Sequence, residues 1–204
     1  MATYFTADLH LGHANIIGYC GRPFPDLAAM DEALVRAWNE TVSPTDTVWV
    51  LGDVALGRIE DSLAHVARLA GTKVLVPGNH DRCWAGHGTR AATWHQRYLD
   101  AGFDAIDHDP PPFPLAGHDV SLCHFPHTGD SHDTDRFTSH RPVDDGSWLL
   151  HGHVHESYRQ RGRCINVGVD AWGGRPVDLD EIAGLIGHGP GELAPRPWPV
   201  PLPR

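Results

Sequence analysis

Short apolar runs in this 204-residue chain repeatedly end in side chains that bind metals. Tyr4-Phe5-Thr6-Ala7 leads into Asp8-Leu9-His10, and Thr47-Val48-Trp49-Val50-Leu51-Gly52 into Asp53. Lys73-Val74-Leu75-Val76-Pro77-Gly78 leads into Asn79-His80-Asp81, Val120-Ser121-Leu122-Cys123 into His124, and Ser147-Trp148-Leu149-Leu150 into His151-Gly152-His153-Val154-His155. The set mixes carboxylate, amide and imidazole without thiolate. That composition suits a pair of divalent cations, Mn²⁺ first, with Fe²⁺, Ni²⁺ or Zn²⁺ equally compatible in kind. Two such cations about 3.5–4 Å apart make a shared water acidic, clamp a phosphoryl group and neutralise the charge that develops on it. The chemistry expected of such a pair is metal-assisted hydrolysis, with a phosphate ester as one fitting substrate class.

Each cluster also has a plainer reading. An Asp-x-His pair at a strand end is commonplace, Asp53 after Gly52 serves as a turn or cap residue, and Pro77-Gly78-Asn79 is good turn chemistry. His124 fits a core histidine, and His153-x-His155 fits a solvated strand face. What separates the readings is the conjunction, because every cluster closes an apolar run.

The elements that must position these residues follow from periodicity. The runs above read as strands. Leu27, Met30, Leu34 and Trp38 recur at helical spacing behind Asp26 as N-cap, and Ile59, Leu63, Val66 and Leu69 do so ahead of Gly71. Another helix is expected from Thr89 to Ala101, and a short closing one from Leu179 to Ile186. The first half thus predicts βαβ units with a mostly parallel sheet, and the second half, with strands at 120–123, 147–150 and 164–167, a more antiparallel layer. In an open α/β sheet the carboxyl ends of the strands face a common crevice, so distant residues converge there. The expected organisation is one domain over residues 1–186, with a Pro-rich, extended or loosely ordered tail over 187–204.

Composition narrows the partners. A net charge of −10 argues against a broad grip on nucleic acid and leaves room for a small phosphorylated substrate, a nucleotide included, whose site is made positive by bound cations. The chain holds 16 His. The cysteines Cys20, Cys83, Cys123 and Cys164 stand far apart with no Cys-x-x-Cys, so neither a zinc ribbon nor a disulfide framework is expected. No signal peptide or membrane-spanning run is read, and the expected location is cytoplasmic.

Asp8-x-His10, Gly52-Asp53, Gly78-Asn79-His80-Asp81, His124 and Gly152-His153-x-His155 resemble the ordered motif set of the calcineurin-like binuclear metallophosphoesterases. The resemblance spans residues 8–155 with every motif present. It implies an α/β fold, the four-layer αββα sandwich, with the metals at the strand ends. It also implies that Asp8, His10 and His155 hold one metal, that Asn79, His124 and His153 hold the other, and that Asp53 bridges them. His80 would act catalytically near the leaving group, with Asp81 orienting it; His151 matches no motif position. Three further stretches, LGHANIIGYCGRPF, HFPHTGDSH and NVGVDAWGGRPVDLDEI, are similar to a branch of small bacterial phosphoesterases.

The departures narrow the class. Protein serine/threonine phosphatases of this superfamily continue the Gly-Asp with an acidic residue, Arg and Gly, and place Glu after Asn-His. Here Val54-Ala55-Leu56 follows Asp53, and Asp81 follows His80. The expected activity is a metal-dependent phosphohydrolase acting on a phosphodiester or small monoester. The alternatives are a nuclease, which the charge disfavours, and a non-catalytic scaffold, which the intact ligand set disfavours. Arg22, Arg82, Arg136 and Arg141 sit near the motifs as candidate phosphate contacts. His127 and His132 read as surface residues, and Trp84 and Trp172 as core aromatics.

Overall fold

The apolar run before Asp8 becomes strand β1 (Thr3–Thr6) in the computed structural model, which describes residues 1–130, 132 and 134–199. Strands β2 (Thr47–Val50), β3 (Thr72–Leu75) and β4 (Ala105–Ile106) follow in parallel order, Tyr4 facing Val48, Val48 facing Lys73 and Val74 facing Ala105. The connections are helical: α1 (Ile16–Tyr19), α2 (Leu27–Thr41), α3 (Ile59–Leu63) and α4 (Thr89–Asp100). Asp26 caps α2 as its sequence position predicts, accepting from the Ala29 amide at 2.8 Å. Met30, Leu34 and Trp38 of α2 and Leu63 of α3 pack with Val48, Val50 and Leu75 into one core on this sheet.

A second sheet takes the rest of the chain: β5 (Phe113–Leu115), β6 (His118–Leu122), β7 (Trp148–His151), β8 (Gln160–Gly162) and β9 (Cys164–Asn166). Strand β10 (Val177–Asp178) returns to pair antiparallel with β1, and α5 (Leu179–His188) leads to β11 (Gly191–Leu193). The strand orders are β10-β1-β2-β3-β4 and β11-β8-β9-β7-β6-β5. Phe5, Leu51 and Val76 from the first sheet meet Val120, Leu150, Ile165 and Val167 from the second in a shared core, joined by Ile182 and Ile186 of α5. The class is therefore mixed α/β, with two mixed sheets and, among the described residues, five α-helices. None of those helices is long and apolar enough to cross a membrane.

The second sheet is the more antiparallel of the two, through the β5–β6, β8–β9 and β8–β11 pairings, while β6, β7 and β9 at its centre run parallel. Two expectations need correction. The helix expected over 59–69 stops at Leu63 and continues as a tighter 3₁₀ turn at Val66–Arg68, where the His65 and Arg68 amides bond three residues back to Ser62 and His65. The tail is more structured than its prolines imply. Gly191, Glu192 and Leu193 pair with Gly162, Arg161 and Gln160, and Trp198 lies edge-on to Phe24 at 5.4 Å between ring centres. The end of that tail, 200–204, lies outside the described residues.

Candidate metal centre

Strands β1, β2 and β3 run in one direction, and β6 and β7 lie across the shared core from them, so their carboxyl ends open on one place. The two sheets are stitched together there. The Val169 amide donates to the Ala7 carbonyl at 3.0 Å, and the His124 ring to the Leu51 carbonyl at 2.8 Å. Asp8, His10, Asp53, Asn79, His124, His153 and His155 are all buried at this junction. Asp8, His10 and His155 bring one ligand atom each within 4.8 Å of one another, and so do Asp8, Asp53 and His124. Asp53 Oδ2 stands between the groups, 3.7 Å from His10 Nε2 and 3.5 Å from His124 Nε2. Asn79 Oδ1 is 3.2 Å from His124 Nε2, and the His153 ring centre is 5.2 Å from that of His124.

The backbone is bent to make this possible. Asp8, His10, Asp53, His153 and His155 all have positive φ, between 47° and 73°. For residues other than glycine this conformation costs about 1–3 kcal/mol each and collects at functional sites. Glycines supply the space. A Cβ on Gly152 would come 2.6 Å from Asp8 Oδ2, and one on Gly78 would come 2.7 Å from His124 Nδ1. The Gly in the Gly-Asn and Gly-His pairs is thus a steric requirement of the cluster.

The rings are held from behind. His124 Nδ1 donates to the Leu51 carbonyl at 2.8 Å, His155 Nδ1 to Asp170 Oδ2 at 3.1 Å, and His153 Nε2 to Asp130 Oδ2 at 3.0 Å. Each ring commits one N–H to an oxygen; the second nitrogen of His124 faces Asn79 Oδ1, itself a candidate ligand, and the back-bonded rings match the arrangement metal-binding histidines adopt. His10 goes further: among the described residues neither of its buried ring nitrogens meets a hydrogen-bond partner. Buried polar groups are otherwise satisfied in folded proteins. The donor set therefore fits divalent cations, and a cation would answer both the orphaned ring and the crowded carboxylates.

The electrostatics agree. Burial pushes the Asp8 carboxyl up, against the pull of His155 and His124. Burial also acts to raise Asp53, but the surrounding His124 and His80 rings hold it below its ordinary range. Burial, with His124 next to it, takes His153 down to about 4, so the ring is neutral and able to ligate near pH 7. Phe125 and Phe137 meet His153 edge-on, at 5.1 and 6.0 Å between ring centres, and cover that side of the ring.

Two sequence-predicted roles do not survive. Asp81 does not orient His80. Its carboxylate accepts from the amides of Asp53 at 2.8 Å, Val54 at 3.0 Å and Gly78 at 2.8 Å, with the Tyr98 hydroxyl at 3.4 Å. It ties the Gly52-Asp53 and Gly78-Asn79 turns together, because a carboxylate at the start of a turn finds amides nearer than a ring. His80 instead stands beside Asp53 Oδ2 at 3.9 Å, its side chain 39% exposed. Arg22 is not a phosphate contact either. It is 3% exposed, and its guanidinium is used up by Asp170 at 2.8 and 2.9 Å and by the Asp8 and Leu9 carbonyls at 2.7 and 2.9 Å.

Of the remaining arginines, Arg141 is bound to the Gly129, Pro126 and Arg136 carbonyls, clasping the loop after β6. Arg136 lies near the cluster but grips Asp130 at 2.7 Å, so it braces His153 through that carboxylate. Arg82 borders a cleft whose wall includes Asn79 and His80. His151 is buried, donating to the Gly152 carbonyl at 2.7 Å and meeting the Tyr158 hydroxyl at 3.2 Å. His132 is exposed, whereas His127 is half-buried against the Pro142 carbonyl at 3.0 Å. Trp172 is buried with its N–H on the Asn166 carbonyl, and Trp84 is half-buried among Phe125, Phe137 and His140.

Asp130 and Asp170 escape a reading of the motifs alone. The only sequence signal is that they fall in the stretches HFPHTGDSH and NVGVDAWGGRPVDLDEI. Cys20, with His155 and Asp170, forms a third cluster of ligand types. Arg22 already fills Asp170 there, so a cation would meet a guanidinium.

No family model matches the chain. It is 37% identical over 198 residues to the gene 66 protein of Mycobacterium phage L5, covering 91% of this chain and 94% of that one. It is 31% identical over 195 residues to the uncharacterized protein MJ1445 of Methanocaldococcus jannaschii, covering 91% and 92%. Among solved structures, AQ665 of Aquifex aeolicus, a protein of unknown function, superposes with a TM-score of 0.67 at 25% identity, covering 90% of this chain and 98% of that one.

Proposed function

The chain belongs to the family of the Mycobacterium phage L5 gene 66 protein, and we propose that it is a binuclear metallophosphoesterase of the calcineurin-like kind. In this reading the facing sheets are the centre of an αββα sandwich, and the substrate is a phosphodiester or small monoester. One observation carries the proposal. His124, His153 and His155 each spend one ring N–H on an oxygen, and His10 spends neither nitrogen, around two buried aspartates. Bound cations would complete that arrangement and satisfy the groups it leaves unanswered.

Asp8, His10 and His155 would hold one cation, Asn79, His124 and His153 the other, with Asp53 between them. When bound, the cations supply Lewis acidity towards the phosphoryl oxygens and an acidic water near neutral pH. The chain supplies the rest. Asp130 and Asp170 hold the rings in their ligating tautomers, and Asp81 holds the two turns that present Asp53 and Asn79. Phe125 and Phe137 cover one side of the His153 ring. His80, exposed beside Asp53, protonates the departing oxygen.

The test is protein stripped with chelator, reloaded with Mn²⁺, Fe²⁺, Ni²⁺ or Zn²⁺, and screened against monoesters, linear diesters, cyclic nucleotides and pyrophosphates. Hydrolysis that depends on metal is expected, with bis(p-nitrophenyl) phosphate preferred over p-nitrophenyl phosphate in kcat/KM, since a chain of net charge −10 gives a dianion little help. Absence of hydrolysis with every metal and every substrate would overturn the proposal.

A further inference from the structure

We infer that the cleft on the His80 side of the centre receives the departing half of the substrate, and that this half carries an oxyanion of its own. The inference rests on the phosphoesterase reading, since His80, the proton donor to the departing oxygen, is what ties the cleft to the reacting atoms.

The cleft encloses about 550 Å³, within the range usual for small-molecule sites. Asn79 and His80 form the wall shared with the metal centre, Leu56 and Ile59 contribute apolar surface, and Arg82 and Arg90 bring positive charge. These two arginines differ from most others in the chain. Arg36, Arg58, Arg68 and Arg97 each sit within 4.0 Å of a carboxylate, whereas among the described residues neither Arg82 nor Arg90 meets one. In a chain of net charge −10, two uncompensated guanidiniums beside a single cleft are a local reversal of sign.

Arg82 is also held in position. Its amide donates to the Tyr98 hydroxyl at 3.0 Å, and its guanidinium lies 5.0 Å from the centre of the Trp94 ring, which borders the same cleft. Arg97 packs on that ring too, at 4.5 Å, and is itself anchored to Glu60 at 2.6 Å. A guanidinium held against an indole stays available for the planar, paired contacts that phosphate and carboxylate offer. A ligand that fills this space needs an apolar or flat body over Leu56 and Ile59 and an anionic end towards Arg82 and Arg90. A phosphorylated departing half has both, and so does a carboxylated one.

The experiment reads binding without catalysis. Chelator-stripped protein is titrated with phenyl phosphate, benzoate and phenol, following the Trp94 indole N–H resonance, identified by its loss in Trp94→Phe. At least one anion is expected to bind about tenfold or more tightly than phenol, and Arg82→Ala and Arg90→Ala are each expected to remove about fivefold or more of that affinity. Arg36→Ala, on α2, serves as the control and leaves it unchanged. Tighter phenyl phosphate assigns a phosphate to the departing half, and tighter benzoate a carboxylate. Phenol binding as well as both anions, or anion binding that survives both substitutions, would overturn the inference. A negative titration from protein that hydrolyses bis(p-nitrophenyl) phosphate when metal-loaded defeats the cleft assignment alone. A positive titration from protein inactive with every metal defeats the phosphoesterase reading, and the departing-half assignment with it.

Discussion

Replacing Arg22 with Ala separates the structural account of that residue from the phosphate contact its sequence position suggests. In the fold both side chains of the Arg22–Asp170 pair are 0% exposed. The substitution removes a forked pair of bonds to Asp170, at 2.8 and 2.9 Å, and the donors to the Asp8 and Leu9 carbonyls. Burial acts to raise Asp170, and Arg22 is the main group holding it down. Breaking a buried pair by deleting one partner costs about 3–5 kcal/mol. In a domain of this size each kcal/mol shifts Tm by about 2–4 °C, so a fall of about 6–20 °C is expected. Asp170 also orients His155, so metal affinity should drop about 10–100-fold. Unfolding is followed by circular dichroism on chelator-treated protein, so that bound metal does not mask the loss, and affinity by competition with a metal indicator. Arg22→Lys should recover less than half of the stability, because an ammonium cannot form the fork. A variant that keeps its Tm and its metals while KM alone rises would refute the reasoning and restore Arg22 as a substrate contact.

Asp53→Asn should lose most bound metal and activity together, measured by elemental analysis alongside turnover; a variant with full metal and normal rate would remove Asp53 from between the cations. Asp81→Ala should lower Tm by several degrees and weaken metal binding, since three amides lose their acceptor, while His80→Ala should leave Tm unaltered; thermal unfolding of the two side by side decides it. His80→Ala should keep its metals, lose about 10²–10⁴-fold in kcat/KM on an alkyl or nucleoside ester, and lose far less on a p-nitrophenyl ester, whose leaving group needs no proton. Equal losses on both esters would assign His80 to stabilising phosphoryl charge instead.

Much of this is written locally in the chain. Alternation and apolar runs mark β1, β2, β3, β6, β7 and β9 to within a residue or two, and Asp26 marks the start of α2, because strand and cap preferences act over a few neighbouring residues. The ligand types at the strand ends are legible for the same reason. Parallel strands must all deliver their carboxyl ends to one edge, so a repeated pattern of strand followed by ligand implies convergence before any coordinate is known. Even the glycines of the Gly-Asp, Gly-Asn and Gly-His pairs carry local information, since little else leaves room for a ring or carboxylate at the next strand.

What the tertiary structure alone decided is who holds whom. Asp81 adjoins His80 in sequence yet bonds to amides 27 and 28 residues away, and Arg22 ends on a carboxylate 148 residues away. Those pairings depend on how two sheets meet, which no spacing along the chain encodes. The same holds for the unpaired arginines of the cleft, because whether a charge is compensated is a property of every element packed around it. Residue type and local pattern determine which chemistry the chain can carry; long-range packing determines which side chains are free to perform it and which are consumed in holding the others still.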